Sequence, residues 1–248
     1  MNPTSGPDDS PAPPPEPRRA PGDPVRRERE LLCDALLAAG PGAPTECAGW
    51  TAADLAAHLV VREGRPDTLP GIAVRPLAFH TERVRRRTVR KVPFERLVDR
   101  IRQGPPKWSP YAVPGVDKIA NGVEFFVHHE DVRRARPGTD PRPLSLPLEE
   151  LLWRRIRIAR FALRKVPVDV TLIRPDGRSV RISAGRPRGS VRKPRSGPRS
   201  APGGAAVRVH GPVGELMLWA LGRTDVAQVR LTGSQESVKA LTESGWGL

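Results

Sequence analysis

The most informative segment of this chain reads Asn121-Gly-Val-Glu-Phe-Phe-Val-His-His-Glu-Asp-Val-Arg-Arg-Ala135. In a helix, residues four positions apart lie one above the other on the same face, so Glu124 and His128 would be neighbours. A carboxylate oxygen and an imidazole nitrogen at this spacing can bind one divalent metal, with a third ligand from elsewhere. His129 would lie roughly 140° around the helix from Glu124, so it is predicted to point elsewhere.

A second helical segment offers the third ligand. It reads Thr51-Ala-Ala-Asp-Leu-Ala-Ala-His-Leu-Val-Val-Arg-Glu63 and places a histidine in its second turn. Thr51 is predicted to cap this helix in a capping box with Asp54, three positions on. We therefore predict a helical bundle that binds a metal between His58, Glu124 and His128. Spacing alone leaves a metal-free interpretation open, in which the same side chains form a hydrogen-bonded core or a solvated face.

Asp131 follows His128 by three positions and has two interpretations. Its carboxylate could orient the ligand imidazole from behind, as carboxylates commonly do at metal sites. An ordinary salt bridge to Arg134 on the helix surface would explain it equally well.

Two segments resemble a known family. Gly49-Trp-Thr-Ala-Ala-Asp-Leu-Ala-Ala-His58 and Glu124-Phe-Phe-Val-His128 are similar to segments of the maleylpyruvate isomerase-like, mycothiol-dependent enzymes, in particular a branch known only as metal-binding. The resemblance covers residues 25–137 closely and the rest more loosely. It implies a DinB-like four-helix bundle in which His58, Glu124 and His128 bind zinc, the same three residues that spacing selects.

The resemblance also implies an activity. Mycothiol, a low-molecular-weight thiol, would attack a small electrophilic or carboxylate substrate, giving isomerisation or S-transfer. The segment Gly214–Arg223 is similar to a C-terminal segment of the family, and Arg223 is the candidate catalytic residue that would hold a substrate carboxylate through its planar fork. Arg223 also fits a helix C-terminus, where a cation is favoured by the helix dipole.

The net charge of +15 does not by itself indicate a nucleic-acid partner. Arg accounts for 36 of the 42 basic residues, and this bias, with abundant Ala, Pro and Gly, also follows from a GC-rich coding sequence. Aromatic residues make up 4% of the chain, too few for a base-stacking platform. We therefore expect no nucleic-acid partner, although an Arg-rich interaction protein and a non-catalytic metal-binding protein remain alternatives.

The sequence predicts the cellular compartment of the protein. No apolar run approaches the roughly 18 residues of a membrane span, and residues 1–23 lack the apolar core of a secretory signal, so a cytoplasmic protein is predicted.

Two cysteines make no disulfide framework. Cys33 lies in an apolar helical pattern, whereas Cys47 precedes the His58 helix and could approach the site; a structural role is favoured for both. The oligomeric state is left open.

The fold class expected is α+β. Residues 1–24 form a disordered Pro-rich tail, 25–137 the metal-binding bundle, and 148–248 a small α+β domain that resembles a sterol-carrier-protein-like domain, with a disordered basic loop at 185–204. Further helices are predicted at 25–39, 78–103 with a break at Pro93, 148–165, 211–222 and 234–243, and strands at 168–173, 179–183, 207–210 and 226–231. The first two strands flank Pro175-Asp-Gly177, which predicts a hairpin turn.

One helical stretch is unusually basic. It carries Arg83, Arg85, Arg86, Arg87 and Arg90. Such a run is usually a solvated face, and we predict one here; attraction of an anionic substrate is the alternative.

Overall fold

The computed structural model describes residues 22–65, 75–113, 116–183 and 206–246. Within these ranges, eight α-helices and a four-stranded sheet give the α+β class that was predicted. The predicted basic loop at 185–204, and all but the last residues of the predicted Pro-rich tail, lie outside the described residues. The helices are α1 (Pro24–Ala39), α2 (Ala52–Gly64), α3 (Arg75–Lys91), α4 (Phe94–Gln103), α5 (Val116–Arg134), α6 (Leu146–Arg155), α7 (Val213–Ala220) and α8 (Gln235–Ser244).

Helix α1 begins one residue before its predicted start and ends at its predicted end. Asp23 accepts a hydrogen bond from the Val25 N–H at 3.1 Å, and Pro24 occupies the first turn, where its missing N–H costs nothing. Gly40 follows the last turn with a φ of +82°, a conformation that favours glycine. The apolar face of α1 packs in one core with α2, α4 and α5.

The break between α3 and α4 also follows the prediction. Pro93 precedes Phe94 at the start of α4, because proline cannot continue a preceding helix but readily opens a new one. Helix α4 then buries Phe94, Leu97, Val98 and Ile101 on one face.

The C-terminal half forms a second core around the sheet. Its strands are β1 (Asp169–Ile173), β2 (Ser179–Ser183), β3 (Ala206–His210) and β4 (Arg230–Gly233), in the order β2-β1-β3-β4. Strand β1 is antiparallel to β2 and parallel to β3, and β3 is antiparallel to β4. The β1–β2 hairpin turns through Gly177, whose φ of +83° fits the predicted turn.

Two predicted elements in this half are corrected. The single helix predicted at 148–165 is α6 followed by two 3-10 segments, Ile156–Arg160 and Ala162–Lys165. Ile156, Ala159 and Ala162 are buried at a spacing of three, which is the period of a 3-10 helix.

The strand predicted at 226–231 is displaced toward the C-terminus. The Gln228 N–H donates to Glu215 Oε2 at 2.7 Å, and the Ala227 N–H donates to the carbonyl of Arg223 at 3.0 Å. Because these bonds hold residues 227–228 in a loop, the ladder with β3 begins at Arg230.

Helix α5 belongs to both cores. Phe125 packs in the core of the helical half, whereas Phe126 and Val127 pack in the core around the sheet. None of the helices in the described ranges has the length and apolar character needed to cross a membrane.

Candidate metal centre

The structure brings together the three residues that the sequence selects as metal ligands. His58 Nε2 lies 3.1 Å from Glu124 Oε1, and His128 Nε2 lies 3.2 Å from the same oxygen. One donor atom from each side chain lies within 4.8 Å of the other two. Two imidazole nitrogens and one carboxylate oxygen form a donor set that zinc accepts, with further coordination positions left for other ligands.

Helices α2 and α5 supply these side chains. Helix α2 is fixed by the predicted capping box: the Asp54 N–H donates to Thr51 Oγ1 at 3.3 Å, and the Thr51 N–H donates to Asp54 Oδ2 at 3.0 Å. His58 and His128 then face each other across the two helices, with ring centroids 5.4 Å apart and the planes at 74°.

An aromatic and cationic layer covers the His58 side of the centre. The Trp50 ring lies 5.1 Å from the His58 ring, and the Arg85 guanidinium lies 4.7 Å from the Trp50 ring. Arg85 also pairs with Asp54 and Glu82. The prediction that Arg85 belongs to a solvated face is therefore wrong, because this side chain is buried against Trp50 with two carboxylates around it.

Asp131 contacts the far side of the His128 ring. Its Oδ2 lies 2.9 Å from His128 Nδ1, so the carboxylate fixes a proton on Nδ1 and turns Nε2 toward the centre. The alternative interpretation, a surface salt bridge from Asp131 to Arg134, is not the arrangement found. Arg134 pairs with Glu130 and Glu215 instead.

Arg223 lies behind Asp131. Its Nε donates to Asp131 Oδ1 at 3.0 Å and its Nη2 donates to Oδ2 at 2.9 Å, a two-point contact between a planar guanidinium and a carboxylate. Its Nη1 donates to the carbonyl of Leu221 at 3.1 Å. Direct binding of a substrate carboxylate by Arg223 stays a prediction. Such a substrate would compete with Asp131 for the Arg223 guanidinium.

Cys47 completes a second group of possible ligands with His128 and Asp131. Its Sγ lies 3.2 Å from Asp131 Oδ2, 3.8 Å from His128 Nδ1 and 3.8 Å from Arg223 Nη2. The expectation that Cys47 could approach the site is thus confirmed. Cys33, by contrast, lies in the apolar core, where burial raises the pKa of its thiol to about 12.

Arg62 is a member of the site that the sequence analysis missed. Its Nε lies 3.3 Å from Glu124 Oε1, and its guanidinium lies 4.8 Å from the Tyr111 ring centroid. The spacing carried a signal, because Arg62 follows His58 by four positions and so shares its helix face.

His129 points away from the centre, as its position on the helix predicts. Its Nδ1 lies 2.7 Å from Glu28 Oε1, on α1, and both side chains are buried.

The surroundings of the two histidines of the candidate site shift their pKa values in opposite directions. Burial lowers the pKa of His58. Burial alone would lower the pKa of His128 too, but hydrogen bonds to Asp131, Cys47 and Glu124 hold it well above its usual range. Burial opposes ionisation of Glu124 and Asp131, yet their bonds to the imidazoles and neighbouring guanidiniums keep both pKa values low. Both carboxylates are therefore ionised at neutral pH and can serve as anionic acceptors.

Comparison of the chain with models of protein families, with curated proteins and with solved structures finds no match.

Proposed function

We propose that this chain is a metal-dependent enzyme, with zinc as the metal, bound by His58, Glu124 and His128. The observation that supports the proposal best is the convergence of three ligand atoms from two helices within 4.8 Å of one another. The carboxylate of Asp131 behind His128 adds to it, because metal-ligating histidines commonly donate their second ring N–H to such a group.

The second group, Cys47, His128 and Asp131, is the weaker candidate for the ligand set. Both oxygens of Asp131 already accept hydrogen bonds from Arg223, whose guanidinium places a positive charge beside the atoms that a cation would need. Repulsion between the Arg223 guanidinium and a metal ion would be strong, because both positive charges would contact the same carboxylate. We assign Cys47 and Asp131 to the support of His128 instead.

The reaction proposed is attack by a small thiol, such as mycothiol, on a small electrophilic substrate. A bound zinc ion of this kind lowers the pKa of a coordinated thiol or water and polarises a carbonyl oxygen. His58, Glu124 and His128 would act as ligands rather than as acids or bases. Asp131 would keep the His128 ring oriented, and Arg223 would keep Asp131 in place or bind a substrate carboxylate.

The thiol chemistry admits two outcomes. Addition of a thiolate to an activated double bond forms a C–S bond and moves the π electrons onto the activating group. Rotation about the resulting single bond and expulsion of the thiolate then give cis–trans isomerisation. Attack at a carbon that carries a leaving group forms the C–S bond while the bond to the leaving group breaks, and the leaving group departs with that electron pair.

Metal content is the first test of the proposal. Wild-type protein is expected to retain about one zinc per chain after mild dialysis, and His58→Ala and His128→Ala are each expected to lose it. Cys47→Ser is the matched control, since the proposal expects it to keep the metal. Absence of metal and of zinc uptake in the wild type would refute the proposal. Loss of zinc in Cys47→Ser and His128→Ala, with zinc kept in His58→Ala, would move the ligand set to the second group.

One observation favours a second function, a metal-binding protein without catalysis. The side chains of His58, Glu124 and His128 are 17%, 25% and 11% exposed, which leaves little room for a substrate beside a bound metal. Thiol-dependent turnover that is abolished in His58→Ala would establish the enzyme. Stoichiometric zinc without turnover across a panel of electrophiles and thiols would favour the second function.

A further inference from the structure

A large cavity lies on the opposite side of α2 from the metal centre. Its volume is about 1060 Å³, and its lining includes Val60, Val61 and Gly64 of α2 but none of the three proposed ligands. Val60 follows His58 by two positions, which is roughly 200° around a helix. One helix therefore separates two distinct sites, and nothing proposed for the metal centre uses the cavity.

Helix α3 presents a basic face to this cavity. Arg83, Arg87 and Lys91 line it at a spacing of four residues, and Val84 and Thr88 lie between them on the same face. The arginines of α3 therefore lie in different environments. Arg85 is buried against Trp50, Arg86 pairs with Glu82, and two arginines turn into the cavity.

Four exposed basic side chains line the cavity without an acidic partner among the described residues. Within the part of the chain that the structure describes, Arg83, Arg87, Lys91 and Arg100 form no ion pair. Glu63 is the acidic residue among the described lining residues, and its carboxylate is bound by Arg29 at 2.8 Å and by Asn121 at 2.7 Å. Among the described lining residues, no carboxylate is left to offset this positive charge, because Glu63 is already bound.

The remaining walls are apolar and aromatic. The apolar lining residues include Val60, Val84, Val92 and Pro106. Trp108 also lines the cavity, and 64% of its surface is exposed. A large exposed indole beside a group of cations offers a stacking surface for a flat ring, while the arginine forks suit phosphate oxygens. The volume matches the upper end of cavities for small organic ligands.

We infer that this cavity is a binding site for an organic phosphate of nucleotide size, with its phosphates on Arg83, Arg87 and Lys91 and its ring against Trp108. The inference does not depend on the proposed metal centre. A ligand there would bind within one helix diameter of the metal ligands, since α2 contributes to both sites.

Calorimetric titration with ATP and with inorganic tripolyphosphate tests the site. The double variant Arg83→Ala with Arg87→Ala is expected to weaken ATP binding at least tenfold. Its matched control, Arg90→Ala with Arg96→Ala, removes the same charge from exposed positions of α3 and α4 outside the cavity, and is expected to change the affinity less than twofold. Melting temperatures of both variants would show that the fold is kept.

Two single variants separate the remaining possibilities. Trp108→Ala is expected to weaken the binding of ATP but not of tripolyphosphate, because only ATP carries a ring. His128→Ala is expected to leave ATP binding unchanged, which excludes phosphate binding at the metal centre. The inference is overturned if wild-type protein binds no ATP, if the two double variants lose affinity equally, or if His128→Ala abolishes binding.

Discussion

At the scale of single residues, Asp131 connects parts of the chain that are far apart in sequence. It accepts hydrogen bonds from His128 in its own helix, from Cys47 before α2 and from Arg223 after α7. Its side chain is buried, so its negative charge depends on these partners. The orientation of the His128 ring depends in turn on Asp131.

Replacement of Asp131 by Asn should therefore weaken metal binding while leaving the ligands in place. We expect the zinc dissociation constant of Asp131→Asn to rise about 10- to 100-fold, the usual effect of losing a carboxylate behind a ligand histidine. Competition with a chromophoric chelator measures it. Asp99→Asn, an exposed position on α4, is the control, and equal affinities of the two variants would contradict the role given to Asp131.

At the scale of elements, helix α2 positions side chains of both the candidate metal centre and the cavity. One face carries His58 and Arg62 toward the candidate metal centre, another lines the cavity, and its apolar residues Leu55 and Leu59 are fully buried. Its first turn is held by Thr51 and Asp54. The cap thus fixes where α2 begins, and the burial of Leu55 and Leu59 sets which of its faces turns inward.

Loss of this cap should be measurable as a loss of stability. Thr51→Ala is expected to lower the free energy of unfolding by about 1 kcal/mol, because the Asp54 N–H loses its acceptor. Thr51→Ser keeps the hydroxyl and is expected to stay close to wild type. Denaturant titration of the three proteins decides the matter, and a Thr51→Ala protein as stable as Thr51→Ser would show that the cap contributes nothing.

At the scale of the whole molecule, a buried network of charges joins the two halves. Arg134 of α5 donates to Glu130 at 2.7 Å and to Glu215 of α7 at 3.0 Å. Arg142 donates to Glu130 at 2.7 Å and also contacts Glu28 of α1. The apolar residues of α5 that enter both cores run alongside this network.

Removal of one partner should destabilise the molecule more than removal of an exposed pair does. Glu215→Ala leaves Arg134 buried with one fewer carboxylate and removes the acceptor of the Gln228 N–H, so we expect a loss of about 3 kcal/mol or more. Glu243→Ala breaks an exposed pair with Lys239 and is expected to cost less than about 1 kcal/mol. Similar losses in the two variants, measured by denaturant unfolding, would contradict this ranking.

The local sequence signals predicted most elements because each depends on a few neighbouring residues. Thr51 and Asp54 marked the start of α2, Pro93 marked the start of α4, and Gly177 marked the β1–β2 turn. The errors fell where distant contacts decide. The bond from Gln228 to Glu215 displaced β4, and no local pattern could have predicted it.

The candidate metal centre was likewise predictable only in part. The sequence by itself determined that Glu124 and His128 share a helix face and that a capped helix carries His58, since these follow from the period of the helix. Only the tertiary structure decided that Asp131 binds His128 and Arg223, that Arg62 reaches Glu124, and that Arg83 and Arg87 face a cavity while Arg85 is buried. Apart from the contact between Asp131 and His128 within α5, these pairings join residues on different elements, so the packing of those elements sets which charges meet.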